Sequence, residues 1–175
     1  YCVKILILLN YCSPQNILIQ EVSAVSEEWI ENLRKAIGKE GKPSIFHIES
    51  HMVKSFIDAI EDPNPLWQDE EYARKTPYKG TIMPPMMLVP SMLSGGGTRP
   101  ELPPILLTRV LDGCGEWEFF APIRIGDSLT ITTKLKNIRE TEGKLGKMLL
   151  LFFETTHKNQ KGEVVARSQG TQISY

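Results

Sequence analysis

The stretch "IEDPNPLWQDEEYA", residues 60–73, combines a carboxylate and an aromatic side chain in a short proline-rich loop. Asp62 could act as a general base, whereas the indole N–H of Trp67, five residues later, only donates a hydrogen bond. Because indole does not exchange a proton near neutral pH, Trp67 cannot complete an acid–base pair with Asp62. Asp62 therefore has two interpretations: a member of a site, or a residue whose carboxylate makes a turn hydrogen bond.

The three histidines are the other candidates for proton transfer. His47 falls in a predicted strand, His51 in the first turn of the helix that follows, and His157 near the end of a later strand. We predict that each is a surface or helix-end residue and not a catalytic group.

Other chemical signatures are weak. Gly95-Gly96-Gly97 lacks the downstream Lys-Ser/Thr of a phosphate-binding loop, and neither Ser91 nor Ser94 lies in a complete esterase elbow motif. The acidic run 69–71 is typical of a solvated helix start, where carboxylates interact favourably with the helix dipole.

Composition limits the remaining function classes. The chain has 175 residues, of which 41% are hydrophobic, so it is long enough for one domain with a core. A net charge of -1 gives little support to nucleic-acid binding. The cysteines, Cys2, Cys12 and Cys114, are odd in number and fit neither a disulfide framework nor a zinc site. We therefore expect a cytoplasmic protein with no metal and no cofactor.

The elements that must position Asp62 come before it in the chain. Residues 1–25 are expected to form an extra strand or a loosely attached arm, because their apolar run is too short to span a membrane. Residues 26–38 predict an amphipathic helix, "IFHI" a strand, and residues 49–60 a second helix that ends where Pro63 and Pro65 cannot continue it. One face of that second helix carries Met52, Val53, Phe56, Ile57 and Ile60.

A third helix is predicted after the loop. The segment "TIMPPMMLVPSMLSGGG" has two prolines, Pro84 and Pro85, at a helix start and three glycines at its end. Its methionines are suited to a core or to an apolar binding channel.

The second half of the chain predicts strands. Residues 115–175 are rich in β-branched and aromatic side chains, and "SLTITTKL" alternates with a period of two. This pattern predicts an α+β domain in which a meander follows the helices. Its four antiparallel strands are predicted at Glu116–Phe120, Ser128–Arg139, Lys147–Asn159 and Glu163–Ser174.

Three segments in this order resemble the MaoC-like hydratase/dehydratase family, and more narrowly its fatty-acid-synthase-type N-terminal dehydratase domain. They are "AIEDPNPLWQDEEYA", "GTIMPPMML" and "GEWEFFAPIRIGDSLTI". The resemblance covers residues 26–175 and implies a hotdog fold, in which a curved antiparallel sheet wraps a central helix. The segment after Pro84 would be that helix.

The resemblance also implies a chemistry that this chain lacks in two places. Active members use an aspartate and, five residues later, a histidine to add water to, or remove it from, an acyl thioester. Here the aspartate position is Asp62 and the histidine position is Trp67. Where active members have His-Gly at the start of the central helix, this chain has Pro84-Pro85, which supply no backbone N–H for the thioester oxygen.

From this comparison we expect a non-catalytic hotdog subunit that shapes the substrate site of a (R)-3-hydroxyacyl-thioester dehydratase or enoyl-thioester hydratase. A histidine-bearing MaoC-like subunit, or a second copy of the chain, would be its partner, with coenzyme A or acyl-carrier-protein thioesters as substrate. Asp62 matches the catalytic motif, and Asn64, Trp67, Met86 and Met87 are the predicted substrate-binding residues. Alternatives are a divergent homodimeric hydratase and a stand-alone acyl-thioester binding protein.

Overall fold

The computed structural model describes residues 3–7, 27–89, 99–105, 107, 109–143 and 146–175. Six strands form one sheet in the order β1-β3-β6-β5-β4-β2, and every neighbouring pair is antiparallel. The strands are β1 (Val3–Ile7), β2 (Ser44–His47), β3 (Val110–Phe119), β4 (Ser128–Gly143), β5 (Gly146–Lys158) and β6 (Val164–Ser174). The four longest strands are therefore neighbours, and two short strands lie at the edges.

Strand alternation determines which side chains enter the core. In β4 the residues predicted to share one face, Leu129, Ile131, Thr133 and Leu135, are all buried, which confirms that prediction. The same period continues in β5, where every second residue from Leu149 is buried. One face of the sheet is thus covered along most of its length.

The helices are short and amphipathic. They are α1 (Glu27–Arg34), α2 (Ser50–Ile60) and α3 (Glu70–Lys75), with 3₁₀ turns at Pro65–Trp67 and Pro85–Met87. None of the helices among these described residues has the length and apolar character needed to cross a lipid bilayer.

Helix α2 matches its prediction within one residue. On its predicted apolar face Val53 and Ile57 are buried, whereas Ile60 is 48% exposed. Ile60 is the last residue of α2, and the chain then turns away at Glu61, which has left-handed backbone angles. The core contact of α2 therefore ends one turn before the helix does.

The largest difference from the predicted strands is at the start of β3. This strand begins at Val110, six residues before the predicted Glu116, because residues 112–115 read as a turn in the sequence. In the sheet these residues pair with β6, and the irregularity is confined to a register shift between Asp112 and Cys114. The other three long strands occur where they were predicted, with β4 continuing to Gly143.

Two apolar clusters lie on the buried face. The first joins α2, residues 82–89 and the strands through side chains such as Ile57, Met83, Leu129 and Ile131. The second joins α1 to the other end of the strands through Leu33 and Leu135. The predicted central helix falls mostly on residues 90–98, outside the described residues; Leu88 and Val89, just before them, are helical.

A strand glycine beneath a tryptophan gives a test of this packing. A Cβ atom added at Gly115 would lie 2.2 Å from the ring of Trp117, which is only 6% exposed, whereas one added at Gly170, the register partner of Gly115, would meet nothing within 4 Å. We expect Gly115→Ala to lower the free energy of unfolding by about 1–3 kcal/mol, because the buried indole must move. The matched variant Gly170→Ala should change it by less than about 0.5 kcal/mol. Urea unfolding of both variants measures this, and equal effects would show that the indole does not occupy the space over Gly115.

Candidate functional site

The loop that carries Asp62 begins at the end of α2. The N–H groups of Glu61 and Asp62 both donate to the carbonyl of Ile57, and Glu61 has φ 52° and ψ 38°. This left-handed residue ends the helix, and Pro63 prevents its continuation. Asp62 is thereby held directly after the helix.

The carboxylate of Asp62 is engaged through both oxygens. The backbone N–H of Asn64 donates to Oδ1 at 3.0 Å, and the indole Nε1–H of Trp67 donates to Oδ2 at 2.8 Å. The side chains of Asp62 and Trp67 are both half-buried. Asp62 therefore makes the predicted turn hydrogen bond and also contacts Trp67, the residue at the motif position five residues later.

Asn64 has a local partner as well. Its Oδ1 accepts a hydrogen bond from the N–H of Leu66 at 3.0 Å and caps the 3₁₀ turn that contains Trp67. The predicted substrate-binding residues Asn64 and Trp67 are thus brought together with Asp62. Asn64 caps the 3₁₀ turn and Trp67 donates to Asp62, so both side chains stabilise the loop. Their binding of substrate remains a prediction.

The proline pair lies next to this loop. The carbonyl of Leu66 accepts from the N–H of Ile82 at 3.4 Å, and the N–H of Met83 donates to the carbonyl of Ile123 at 2.8 Å. Pro84 is buried and precedes the 3₁₀ turn that begins at Pro85. The first backbone N–H after the pair belongs to Met86, so two residues at the start of this helical segment supply no donor.

The two predicted methionines differ in exposure. Met87 is 6% exposed and packs in the first core cluster, the same cluster against which Trp67 packs. Met86 is 37% exposed. Met87 therefore packs in the core, whereas Met86 is accessible to solvent beside the proline pair.

Glu70 in α3 holds the segment before the proline pair, a role that the sequence did not reveal. As predicted, α3 has an acidic start, and Asp69 caps it by accepting from the N–H of Tyr72 at 2.9 Å. In addition, Glu70 accepts from the N–H of Thr81 at 3.1 Å and from Arg74 at 2.9 Å. These hydrogen bonds, the one from Thr81 first, lower the pKa of Glu70 below its ordinary value.

The arrangement has limited chemical capacity. A carboxylate with an indole donor on one oxygen and an amide donor on the other can orient a group, but the pair holds no second site that exchanges protons near neutral pH. Among the described residues there is no group of three or more His, Cys, Asp or Glu side chains placed to hold a metal ion.

Comparison with known proteins identifies the family. The family model described as "FAS1-like, dehydratase domain region" matches residues 35–168. The chain belongs to the FAS1-like dehydratase family. A UPF0336 protein of Thermobifida fusca is 30% identical over 103 residues, which cover 58% of this chain and 68% of that protein. A probable enoyl-CoA hydratase alpha subunit of Thermomonospora curvata is 28% identical over 66% of this chain and 41% of that longer protein.

Solved structures agree on the fold of this chain. The ChsH1-ChsH2 complex of Mycobacterium tuberculosis contains a chain that matches with a TM-score of 0.72 and 21% identity, covering 85% of this chain and 91% of that one. The MaoC-like dehydratase of Rhodospirillum rubrum matches with a TM-score of 0.66 and 24% identity over 84% of this chain and 96% of that one. The expected MaoC-like α+β hotdog fold is thereby confirmed.

The histidines of this family member lie in two different environments. His47 and His51 are exposed, as predicted; His47 is hydrogen-bonded to Ser128 Oγ at 2.8 Å, and His51 lies 3.1 Å from Glu49. His157 is fully buried, so its predicted surface position is wrong. The reason is its place in β5, two residues after buried Thr155 on the inward face.

Burial changes the protonation of His157. Burial lowers the pKa of His157 to about 4, and the nearby backbone of Ala166 acts in the opposite direction. The folded chain thus favours the neutral imidazole.

His157 should make stability depend on pH. Its folded pKa of about 4 lies below the ordinary value of 6.5, so its neutral form stabilises the fold fully above about pH 6.5 and this stabilisation is lost as the pH falls towards 4. The loss should be about 3 kcal/mol in the free energy of unfolding, an upper limit for this group. His157→Leu should remove that part of the pH dependence, while His51→Leu, at an exposed position, should retain it. Urea unfolding at several pH values measures both, and an unchanged pH dependence in His157→Leu would contradict the assignment.

Proposed function

We propose that the chain is the non-catalytic, substrate-shaping subunit of a (R)-3-hydroxyacyl-thioester dehydratase or enoyl-thioester hydratase. The observation that carries this proposal is the contact of Trp67 Nε1 with Asp62 Oδ2 at 2.8 Å. The position where the family resemblance places a proton-exchanging histidine holds an indole, and that indole donates a hydrogen bond to one oxygen of the motif aspartate, Asp62.

The reaction requires two functions that must then come from elsewhere. Addition or removal of water across the α,β carbon–carbon bond of the acyl chain puts the hydroxyl on the β carbon and moves a proton at the α carbon, and the thioester oxygen gains negative charge that backbone donors stabilise. Trp67 cannot exchange the proton, and Pro84 and Pro85 cannot donate to the oxygen. In the proposed complex a histidine-bearing hotdog subunit supplies both functions, and this chain contributes apolar surface and shape.

Relatives support an assembly of this kind. One structural match is described as a complex, ChsH1-ChsH2, and one sequence relative is named an alpha subunit of an enoyl-CoA hydratase. A sheet edge with unpaired backbone groups is also a common site of association. We propose that the chain pairs with a MaoC-like partner and, when alone, with itself.

Co-expression tests the proposal directly. The chain is produced alone and together with a hotdog chain that carries an intact Asp-x4-His motif, and hydration of crotonyl-CoA is measured. We expect activity in the mixture that exceeds the activity of either chain alone by at least about a hundredfold, the contribution of an acid–base group. Full activity of this chain alone would favour a divergent homodimeric hydratase; tight thioester binding without turnover in any mixture would favour a stand-alone binding protein.

Substitution of Trp67 separates a structural role from a catalytic one. Trp67→Phe removes the donor to Asp62 but keeps an aromatic ring, so the activity of the complex should stay within a few-fold of the parent, because no proton transfer depends on the indole. Replacing the partner's motif histidine by alanine is the matched control and should lower activity by about a hundredfold or more. A drop of about a thousandfold in Trp67→Phe, with the complex still assembled, would contradict the non-catalytic role.

A further inference from the structure

Strand β1 covers half of one sheet edge. Its five residues pair antiparallel with the second half of β3, from Phe119 back to Gly115. The first half of β3, Val110–Cys114, has no strand beside it on that side among the described residues. At this edge the sheet therefore ends in a five-residue strand that lies against half of a ten-residue strand.

The backbone N–H groups of β3 point alternately toward its two sides. Just before the strand, Arg109 exchanges two backbone hydrogen bonds with the residue that follows β6, at 3.2 and 3.0 Å, so the N–H of Val110 points away from β6. Just after the strand, the N–H of Phe120 donates to a carbonyl next to Ala166 in β6 at 2.9 Å, so the N–H of Phe119 points toward β1. The edge of β3 can thus form a ladder at both of its ends.

The opposite edge of the sheet is less suited to pairing with another chain. Strand β2 has only four residues, and the chain on both sides of it is bonded to the body of the sheet. The N–H groups of Gly38 and Gly41 each donate to a carbonyl of β4 at 2.8 Å, and the N–H of Ile48 donates to Asp127 at 2.9 Å. The edge of β3 is longer, and it ends at Phe119, which packs in the first core cluster together with part of the candidate site.

A separate strand must compete with β1 for this edge. A short edge strand belongs to the part of a fold that opens locally at low free energy. Residues 8–26 connect β1 to α1, so a released β1 stays near the sheet at a local concentration on the order of millimolar. A strand of another subunit at micromolar concentration displaces β1 only if it gains further contacts, and the first half of β3 offers them.

We propose that β1 is an exchangeable strand that blocks assembly: it occupies half of the β3 edge and must leave before a strand of the partner subunit can pair along Val110–Phe119. The inference rests on the proposed function and specifies the surface and the control of its complex. A partner subunit that pairs along β3 lies beside the cluster against which Trp67 packs, where its histidine is needed. The apparent affinity of the partner is the intrinsic affinity reduced by the fraction of chains in which β1 is released.

Hydrogen exchange of the chain alone tests whether β1 leaves the sheet. The amides of Trp117 and Phe119 point toward β1, whereas those of Glu116 and Glu118 point toward β6. Trp117 and Phe119 should exchange at least about tenfold faster than Glu116 and Glu118, because release of β1 exposes only the first pair. Equal protection of all four amides would show that β1 opens only with the whole fold, which would overturn the proposal.

Two neighbouring proline variants test the block. Ile5 is the register partner of Trp117, so its N–H points toward β3, whereas the N–H of Lys4 points away from the sheet. Ile5→Pro should strengthen binding to a hotdog chain with an intact Asp-x4-His motif by at least about tenfold, because it removes a ladder bond and releases β1. Lys4→Pro, the matched control, should change this binding by less than about threefold, because it removes no ladder bond. Titration calorimetry measures both, and unchanged binding in Ile5→Pro would contradict the block.

A reversible crosslink gives the opposite perturbation. Lys4 and Glu118 are register partners at a non-hydrogen-bonded position, where Cα atoms lie about 4.5 Å apart, within the range of a disulfide. Lys4→Cys with Glu118→Cys, in a chain whose three native cysteines are replaced by serine, should lose at least about a hundredfold in affinity when oxidised and recover on reduction. Glu118→Cys alone is the matched control and should not respond to oxidation. Full binding by the crosslinked chain would reject the proposal.

Substitutions on the sheet edges identify the occupant. Val110 is 55% exposed, and Val110→Pro removes a donor from the open edge without removing one from the ladder with β6. Binding of the partner should fall by at least about tenfold in Val110→Pro and stay within about twofold in Val110→Ala, which keeps the donor. Loss of binding in Ile45→Pro but not in Val110→Pro would place the partner on β2 instead. A crosslink that blocks only self-association would show that the occupant is a second copy of the chain.

Failure of this inference is distinguishable from failure of the proposed function. Hydrogen exchange and binding test the strand, while hydration of crotonyl-CoA by the complex tests the function. Equal hydration by mixtures with the crosslinked and the reduced chain would leave the function in place and reject the block. Binding controlled by the crosslink without hydration in any mixture would retain the block and reject the function.

Discussion

Alternate residues of four neighbouring strands point to one face of the sheet, apart from register shifts in the β3–β6, β4–β5 and β5–β6 pairs, and the chain can fold only if that face is removed from water. Leu129, Ile131 and Leu151 on this face are at most 1% exposed. Helix α2 helps to cover it through Val53 and Ile57, so the end of α2 has a fixed position over the sheet. The site loop starts at that end, and the location of Asp62 is therefore a consequence of how the sheet is buried.

A row of polar side chains crosses the same face between the two apolar clusters. Thr133 and Thr155 are register partners with hydroxyl oxygens 2.9 Å apart, Thr155 pairs with Ser168, and Ser168 pairs with Trp117. The hydroxyl pair is buried at little cost because each group has a partner. The row separates the cluster that holds α2 from the cluster that holds α1. Changes at the α1 end need not alter the site loop, because the two ends pack through different residues.

The sequence revealed the strands best where alternation was regular and least well where local residue types suggested a turn. Residues 112–115 contain an aspartate and two glycines, which obscured the first half of β3, although pairing with β6 holds it in the sheet. The burial of His157 could have been predicted, because the period of two that places Phe153 and Thr155 inside leads directly to it.

Parts of the candidate site could not be predicted from the sequence, because they depend on contacts between distant residues. The motif placed Asp62, Asn64 and Trp67 in one loop, and the structure adds the hydrogen bonds that connect them. No local pattern links Glu70 to Thr81, since this contact exists only after the chain has folded.

Trp67 and the Pro84-Pro85 pair, the two departures from the motif that the sequence resembles, both have defined places in the structure. At position 67 the indole donates to the aspartate of the loop, which gives the loop an internal connection. At positions 84 and 85 the prolines have backbone angles suited to the start of a helical segment, although neither can donate to a thioester oxygen. An ordered loop and an ordered helix start are what a subunit needs if its contribution, as proposed, is the shape of a pocket whose chemistry a partner performs.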